Sequence, residues 1–156
     1  MAERRHSHGR TLNNPCNYHG TTRQAGARQA GAHWEKTAES FLTGKGLKLV
    51  KRNFSSRLGE IDLIMEDKET LVFIEVRYRK SNHFGDGAES ITVHKQSRIS
   101  RTAAWYLAKN PHRAEQFCRF DIISIGSIPN DPKIKDQEIK DQGIHWIQSA
   151  FYSTIG

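Results

Sequence analysis

Four charged residues stand in two β-rich runs: Glu60 and Asp62 in the run Glu60–Glu66, Glu75 and Arg77 in the run Leu71–Arg79. A polar break, Asp67-Lys68-Glu69-Thr70, separates the runs, which is the pattern of a β-hairpin. A turn centred between Lys68 and Glu69 sets Asp62 opposite Glu75 and Glu60 opposite Arg77. Side chains alternate along a strand, so all four emerge on one face, with opposed β-carbons roughly 4.5–5.5 Å apart. Two carboxylates at that spacing repel each other unless a cation or a shared proton intervenes. A turn one residue longer or shorter makes the pair diagonal, still within reach of one ion. The same charges also fit a solvated sheet face with basic partners, and the pattern alone does not separate the two readings. Ile61, Leu63, Met65, Val72, Ile74, Val76 and Tyr78 occupy the other face and read as core. Ile64, Leu71 and Phe73 share the acidic face, so apolar cover is expected there too.

The elements around the hairpin must position it. Helical periodicity starts near Ala32, with Trp34, Ala38, Phe41 and Leu42 on one stripe, and Gly44 and Gly46 mark its end. Glu35 borders that stripe. It either overhangs the acidic pair as a third carboxylate or is an ordinary exposed helix glutamate. Leu47–Phe54 reads as a strand, and Ser55–Gly59 as a turn with Arg57 at the base of the hairpin. Ser81–Glu89 is a polar loop with Gly85 and Gly87, read as mobile. A second helix is predicted from about Thr92 to Asn110, stopped by Pro111, with Ile99, Ala103, Tyr106 and Leu107 inward. Lys95, Arg98 and Arg101 lie in its first turns, where a cation opposes the macrodipole at about 0.3–1 kcal/mol each. Nothing local offsets them, which fits an anionic partner or a solvated face equally. Phe117–Ile125 reads as a strand in which Asp121 beside Arg119 is structural. A duplicated Ile-Lys-Asp-Gln within 129–143 reads as a surface-loop insert. Gly143–Gln148 is a last short strand, with Ala150, Phe151 and Tyr152 starting a helical turn.

A chain of 156 residues holds one domain with a proper core and little more. Residues 1–32 contain five Arg and one Glu out of a whole-chain balance of 24 basic and 17 acidic residues. More than half of the net charge of +7 therefore sits in the tail, and the high pI says little about the folded body. Residues 1–31 lack large apolar side chains and read as a disordered basic tail ahead of a domain over 32–156. Cys16 and Cys118 form no scaffold or zinc spacing, which suits a reducing compartment. No apolar run reaches the ~18–20 residues of a membrane span, and no secretory signal begins the chain, so no membrane partner and a cytoplasmic setting are expected.

The predicted order α-β-β-β-α-β-β around an acidic hairpin resembles the restriction-endonuclease-like superfamily, whose motif is written PD-(D/E)XK. One branch is closer. Gly31-x-x-x-Glu35-x-x-Ala38-x-x-Phe41-Leu42, Arg52-Asn53, Gly59-Glu-Ile-Asp-Leu-Ile64, Phe73-Ile-Glu-Val-Arg-Tyr-Arg79, Lys95-Gln96 and Arg119-Phe-Asp121 resemble the YraN family, related to archaeal Holliday-junction resolvases. The resemblance covers roughly Gly31 to Phe151. It implies an α/β fold with a mixed β-sheet flanked by helices. It also implies a nucleic-acid-binding protein, with DNA as the partner, and an endonuclease-like site. That site would hold Mg²⁺, or Mn²⁺, on Glu35, Asp62 and Glu75 and hydrolyse phosphodiester bonds, in branched DNA by kinship. Arg77 stands where the superfamily has a lysine; it stays protonated, so it can hold a phosphate but not act as a base. Arg57, Arg79, Lys80, Lys95, Arg98 and Arg101 are the expected phosphate contacts, and Gln96 shares the supporting helix position. Resolvases of the superfamily act as dimers, which admits a homodimer here, although no dimer seam is legible. A non-catalytic nucleic-acid- or protein-binding module on the same fold is the competing expectation.

Overall fold

The computed structural model describes residues 21–79, 91–126 and 143–153. Helix α1 (Thr21–Gly44) leads into three strands, β1 (Lys48–Ser56), β2 (Gly59–Asp67) and β3 (Thr70–Arg79). Helix α2 (Val93–Lys109) follows, then a 3-10 turn (Pro111–Arg113), β4 (Cys118–Gly126) and β5 (Ile144–Phe151). The strands form one sheet in the order β1-β2-β3-β4-β5. All neighbours are antiparallel except β3 and β4, which run parallel and are joined through α2. A parallel pair needs such a crossover, and here the crossover helix packs back on the sheet. The mixed sheet, its two helices and the α-β-β-β-α-β-β order are those of a restriction-endonuclease-like core.

Two apolar clusters hold the three layers together. On one face Ala38 and Leu42 of α1 meet Leu63, Met65, Val72, Ile74 and Ile123 of the sheet. On the other, Ile99, Ala103 and Tyr106 of α2 meet Ile64, Leu71, Phe73, Phe120 and Ile122. A sheet covered on both faces buries consecutive residues, which is why Leu63, Ile64 and Met65 are all fully buried. Leu63 stands opposite Ile74 and Asp67 opposite Thr70, so the hairpin turn is centred between Lys68 and Glu69 as the spacing predicts. Lys68 takes the left-handed turn conformation with φ 55°. Thr92 caps α2, accepting from the Lys95 backbone N–H, and Asn110 closes it ahead of Pro111.

Three expectations are corrected. Residues 21–31 belong to α1 rather than to an unfolded tail. Ala25, Ala27 and Ala30 interspersed with Gln and Arg are strong helix formers, and a helix nucleated by its packed half propagates along such residues. The N-terminal 20 residues lie outside the described residues, as do the Ser81–Glu89 loop and 129–142 of the insert. The segment around Ala150 continues β5 instead of turning into a helix, because Phe151 is buried and stacks on Phe120 at 4.9 Å. Ile61 packs in the same cluster as Ile64, on the α2 side, so alternation along β2 breaks between them, at Asp62. Opposite that break Asn53 of β1 has φ 48°, a left-handed conformation that asparagine tolerates better than most residues. No described helix is long and apolar enough to cross a membrane.

Asp121 is structural, as read from its neighbour. Its buried carboxylate accepts from Arg119 Nε at 3.0 Å, Trp146 Nε1 at 2.9 Å and the Ser149 backbone N–H at 3.0 Å. It fills the gap left by the β4–β5 register shift at that level. Asp121→Ala takes this acceptor from Arg119, which keeps Asp67, and from Trp146 and Ser149, and the expected loss is about 2 kcal/mol of unfolding free energy in a urea titration. A loss below about 1 kcal/mol would show that the network is not a stabilising one.

Candidate functional site

The β2–β3 ladder stops at Leu63 and Ile74, one step short of the acidic pair. Beyond that point the Val76 backbone N–H donates to Asp62 Oδ2 at 2.7 Å instead of to a strand carbonyl. A side chain thus takes the place of the ladder, and β2 parts from β3. On its other flank β3 stays paired with β4 through Glu75, Val76, Arg77 and on to Arg79. The pair lies where a central strand is zipped on one side and released on the other.

Glu75 belongs to the Leu71 and Phe73 side of β3 and meets α2, where the Lys95 Nζ lies 2.9 Å from Oε1. Its second oxygen, Oε2, is shielded from solvent and has no hydrogen-bond partner. Two positions on, Arg77 has Nη1 in the same condition. The expected Glu60–Arg77 ion pair does not form among the described residues. Glu60 is exposed and aligned with Ser55 of β1, because the hairpin has already opened at its level. Lys95 compensates the unfavourable macrodipole position by reaching Glu75, a contact distant in sequence that no local reading supplies.

Burial and the neighbouring Glu75 push the Asp62 carboxyl up to about 7, with Glu35 adding to the rise. The Val76 N–H and Lys95 act the other way and do not outweigh them. Glu35, half-buried on α1, is therefore electrically part of the site, not an isolated surface glutamate. The three carboxylates do not converge on one point: among the described residues no three acidic, His or Cys side chains meet in metal-binding geometry. The donor set nevertheless suits a hard cation. Mg²⁺ takes one or two carboxylates and fills its other positions with water or phosphate oxygens, and the buried, unpartnered Oε2 of Glu75 beside Asp62 supplies such oxygens.

Of the basic residues expected to follow a phosphate backbone, Lys95 enters the site. Arg57 in the β1–β2 turn and Arg98 and Arg101 on α2 are exposed. The Arg79 side chain and Lys80 lie outside the described residues. Gln96 donates through Nε2 to the Ile91 carbonyl at 2.8 Å, which secures the start of the helix that bears Lys95. The sequence did not point to the stack of Trp34 on Tyr78, centroids 4.3 Å apart and nearly coplanar, which fastens α1 to β3 beside Glu35. Tyr78, expected as core, is 40% exposed at the rim of that contact.

These features define the class of protein: an α/β core of restriction-endonuclease-like type with half-buried acidic groups where its central hairpin opens. The chain belongs to the family described as uncharacterised protein family UPF0102, whose pattern it matches over residues 34–125. It is 44% identical over 126 residues to a UPF0102 protein of Alcanivorax borkumensis, covering 81% of this chain and 94% of that one. Similarity to the UPF0102 protein YraN of Escherichia fergusonii is 43% identity over 133 residues, 85% of this chain and 91% of the relative. A UPF0102 protein of Nitrosospira multiformis is 45% identical over 124 residues, covering 80% and 93%.

Asp62 gives a pH signature. Its folded value near 7 lies above the ordinary 3.8, so the native state holds a proton that the unfolded chain has lost between those values. Stability falls as pH rises through that window, and the cost, up to about 4 kcal/mol, is complete above it. Asn at this position keeps an acceptor for the Val76 N–H and cannot ionise. Without divalent cations, Asp62→Asn is expected to unfold several degrees above wild type at pH 8, by less than half that margin at pH 5, and close to it below the ordinary value of 3.8 in thermal scans. A lower midpoint at pH 8 would mean that the ionised carboxylate serves stability.

Proposed function

We propose that this protein binds nucleic acid and hydrolyses its phosphodiester backbone at the Asp62–Glu75 site with Mg²⁺, or Mn²⁺. The supporting observation is the buried negative charge that Lys95 only half satisfies: one oxygen of Glu75 has no partner, beside an aspartate whose ionisation burial opposes. Asp62 and Glu75 would hold the metal ion, with Glu35 adding negative charge from α1. When bound, the metal supplies Lewis-acid polarisation of the phosphodiester and a more acidic water. The chain's own residues do the placing. The Val76 N–H fixes the Asp62 carboxylate, and the β3–β4 ladder fixes the backbone of Glu75 and Arg77. Arg77 offers an unused buried N–H to a phosphate oxygen and, being permanently charged, stabilises developing negative charge without taking a proton. Arg57, Arg98 and Arg101 are exposed and suit flanking phosphates, and Arg79 and Lys80, next in sequence, would add to them. Kinship with junction resolvases favours branched DNA among the substrates.

The test is cleavage of labelled four-way, flapped, single-stranded and duplex DNA with Mg²⁺ or Mn²⁺, wild type beside Asp62→Asn. Wild type is expected to cut at least one of these shapes. The variant should lose at least about 100-fold in rate with DNA binding retained, since even outer-shell partners of metal ligands cost about 10–100-fold. Binding without cutting of any substrate would favour a non-catalytic module. Affinity that hardly changes with salt would remove the phosphate contacts assigned to the exposed arginines.

A further inference from the structure

The Glu75–Lys95 contact is the one ion pair of the described residues made by a lysine. Glu39, Glu66, Asp67 and Asp121 all pair with guanidinium groups, of Arg52, Arg113 and Arg119. In the Glu75 pair the acid is 12% exposed and the base 40% exposed, so the cation is the more accessible partner. The lysine ammonium is a compact charge on a flexible stem, and it engages only Oε1 while Oε2 stays unpartnered. The backbone beneath it is fixed independently: Thr92 Oγ1 accepts from the Lys95 N–H, and Gln96 donates its backbone N–H to the Thr92 carbonyl and its side-chain Nε2 to the Ile91 carbonyl. Moving the ammonium therefore costs no helix. Its position in the first turn, against the macrodipole, further weakens its hold on the spot.

A divalent cation arriving at Glu75 would meet Lys95 already there. We propose that Lys95 is a displaceable internal counter-ion, which neutralises Glu75 in the metal-free protein and yields the carboxylate to a divalent cation. The inference rests on the metal reading of the site given above. Lys95 then competes with metal rather than helping to bind it, and its removal tightens metal binding. A lysine that shaped the carboxylates for the metal would do the reverse, and one that merely braced α2 would leave affinity unchanged.

The experiment is calorimetric titration of Ca²⁺ alone into the full chain at pH 8, for wild type, Lys95→Gln, Lys95→Met and Asp62→Asn, with thermal midpoints as a check on folding. The proposal expects both Lys95 variants to bind Ca²⁺ about tenfold more tightly than wild type and Asp62→Asn to bind least. Binding by the Lys95 variants where wild type shows none would support it equally. Equal or weaker binding by folded Lys95 variants, with Asp62→Asn still impaired, would overturn the counter-ion role and leave the metal site standing. No binding by any protein, the Lys95 variants included, would remove the metal site itself and this role with it.

Discussion

A backbone N–H makes one good hydrogen bond, and the Val76 N–H makes its bond to a side chain. That choice ends the β2–β3 ladder at Leu63 and Ile74, tilts Asp62 into the gap and leaves Glu75 beside it with a wall of β4 behind. The carboxylates are then held in a poorly hydrated place, where mutual repulsion is not screened as it would be on the surface. Burial without full pairing costs free energy, and proteins retain such costs mainly where binding or chemistry recovers them.

Two aspartates of the sheet, the half-buried Asp62 and the buried Asp121, make the point by contrast. Each occupies a break in strand pairing, Asp62 between β2 and β3 and Asp121 between β4 and β5. Asp121 is saturated by Arg119, Trp146 and the Ser149 N–H, so its charge is fully answered within the fold. Asp62 has a single N–H, a second acid at hand and a third on α1. The same residue type thus serves opposite ends: one aspartate closes a structure, and the other is left with its ionisation opposed by its surroundings.

Much of this was legible in the chain. The alternation of the hairpin and its polar break fixed the register, and the apolar stripes of α1 and α2 located both helix faces correctly because burial on a helix follows the 3.6-residue period. What escaped was non-local. Nothing near Lys95 announces Glu75, and nothing near Glu60 says that the hairpin opens before it can meet Arg77. The flip at Asp62 is a departure from strand periodicity, so a reading built on that periodicity placed Ile61 on the wrong face. Residues 21–31 were misjudged for the opposite reason: they lack large apolar side chains, yet their helix propensity extends an element anchored elsewhere. Glu35 was ambiguous on pattern alone, and only the placement of α1 over β3, pinned by Trp34 on Tyr78, brings it within electrical reach of Asp62.

The one-sided opening of β3 has a mechanical meaning. Glu75 is carried by a strand stitched along its length to β4, so its backbone has little freedom to shift. The first half of β2, by contrast, is carried by β1 through Phe54 and Ser55, and meets α2 at Gly59, where an added Cβ would stand 3.0 Å from Thr102 Oγ1. The spacing of the two carboxylates is therefore set between two separately stitched strands, Asp62 held from the β1 side and Glu75 from the β4 side, like the jaws of a vice. Substitutions at the Gly59–Thr102 contact act on the Asp62 jaw without touching an acidic residue.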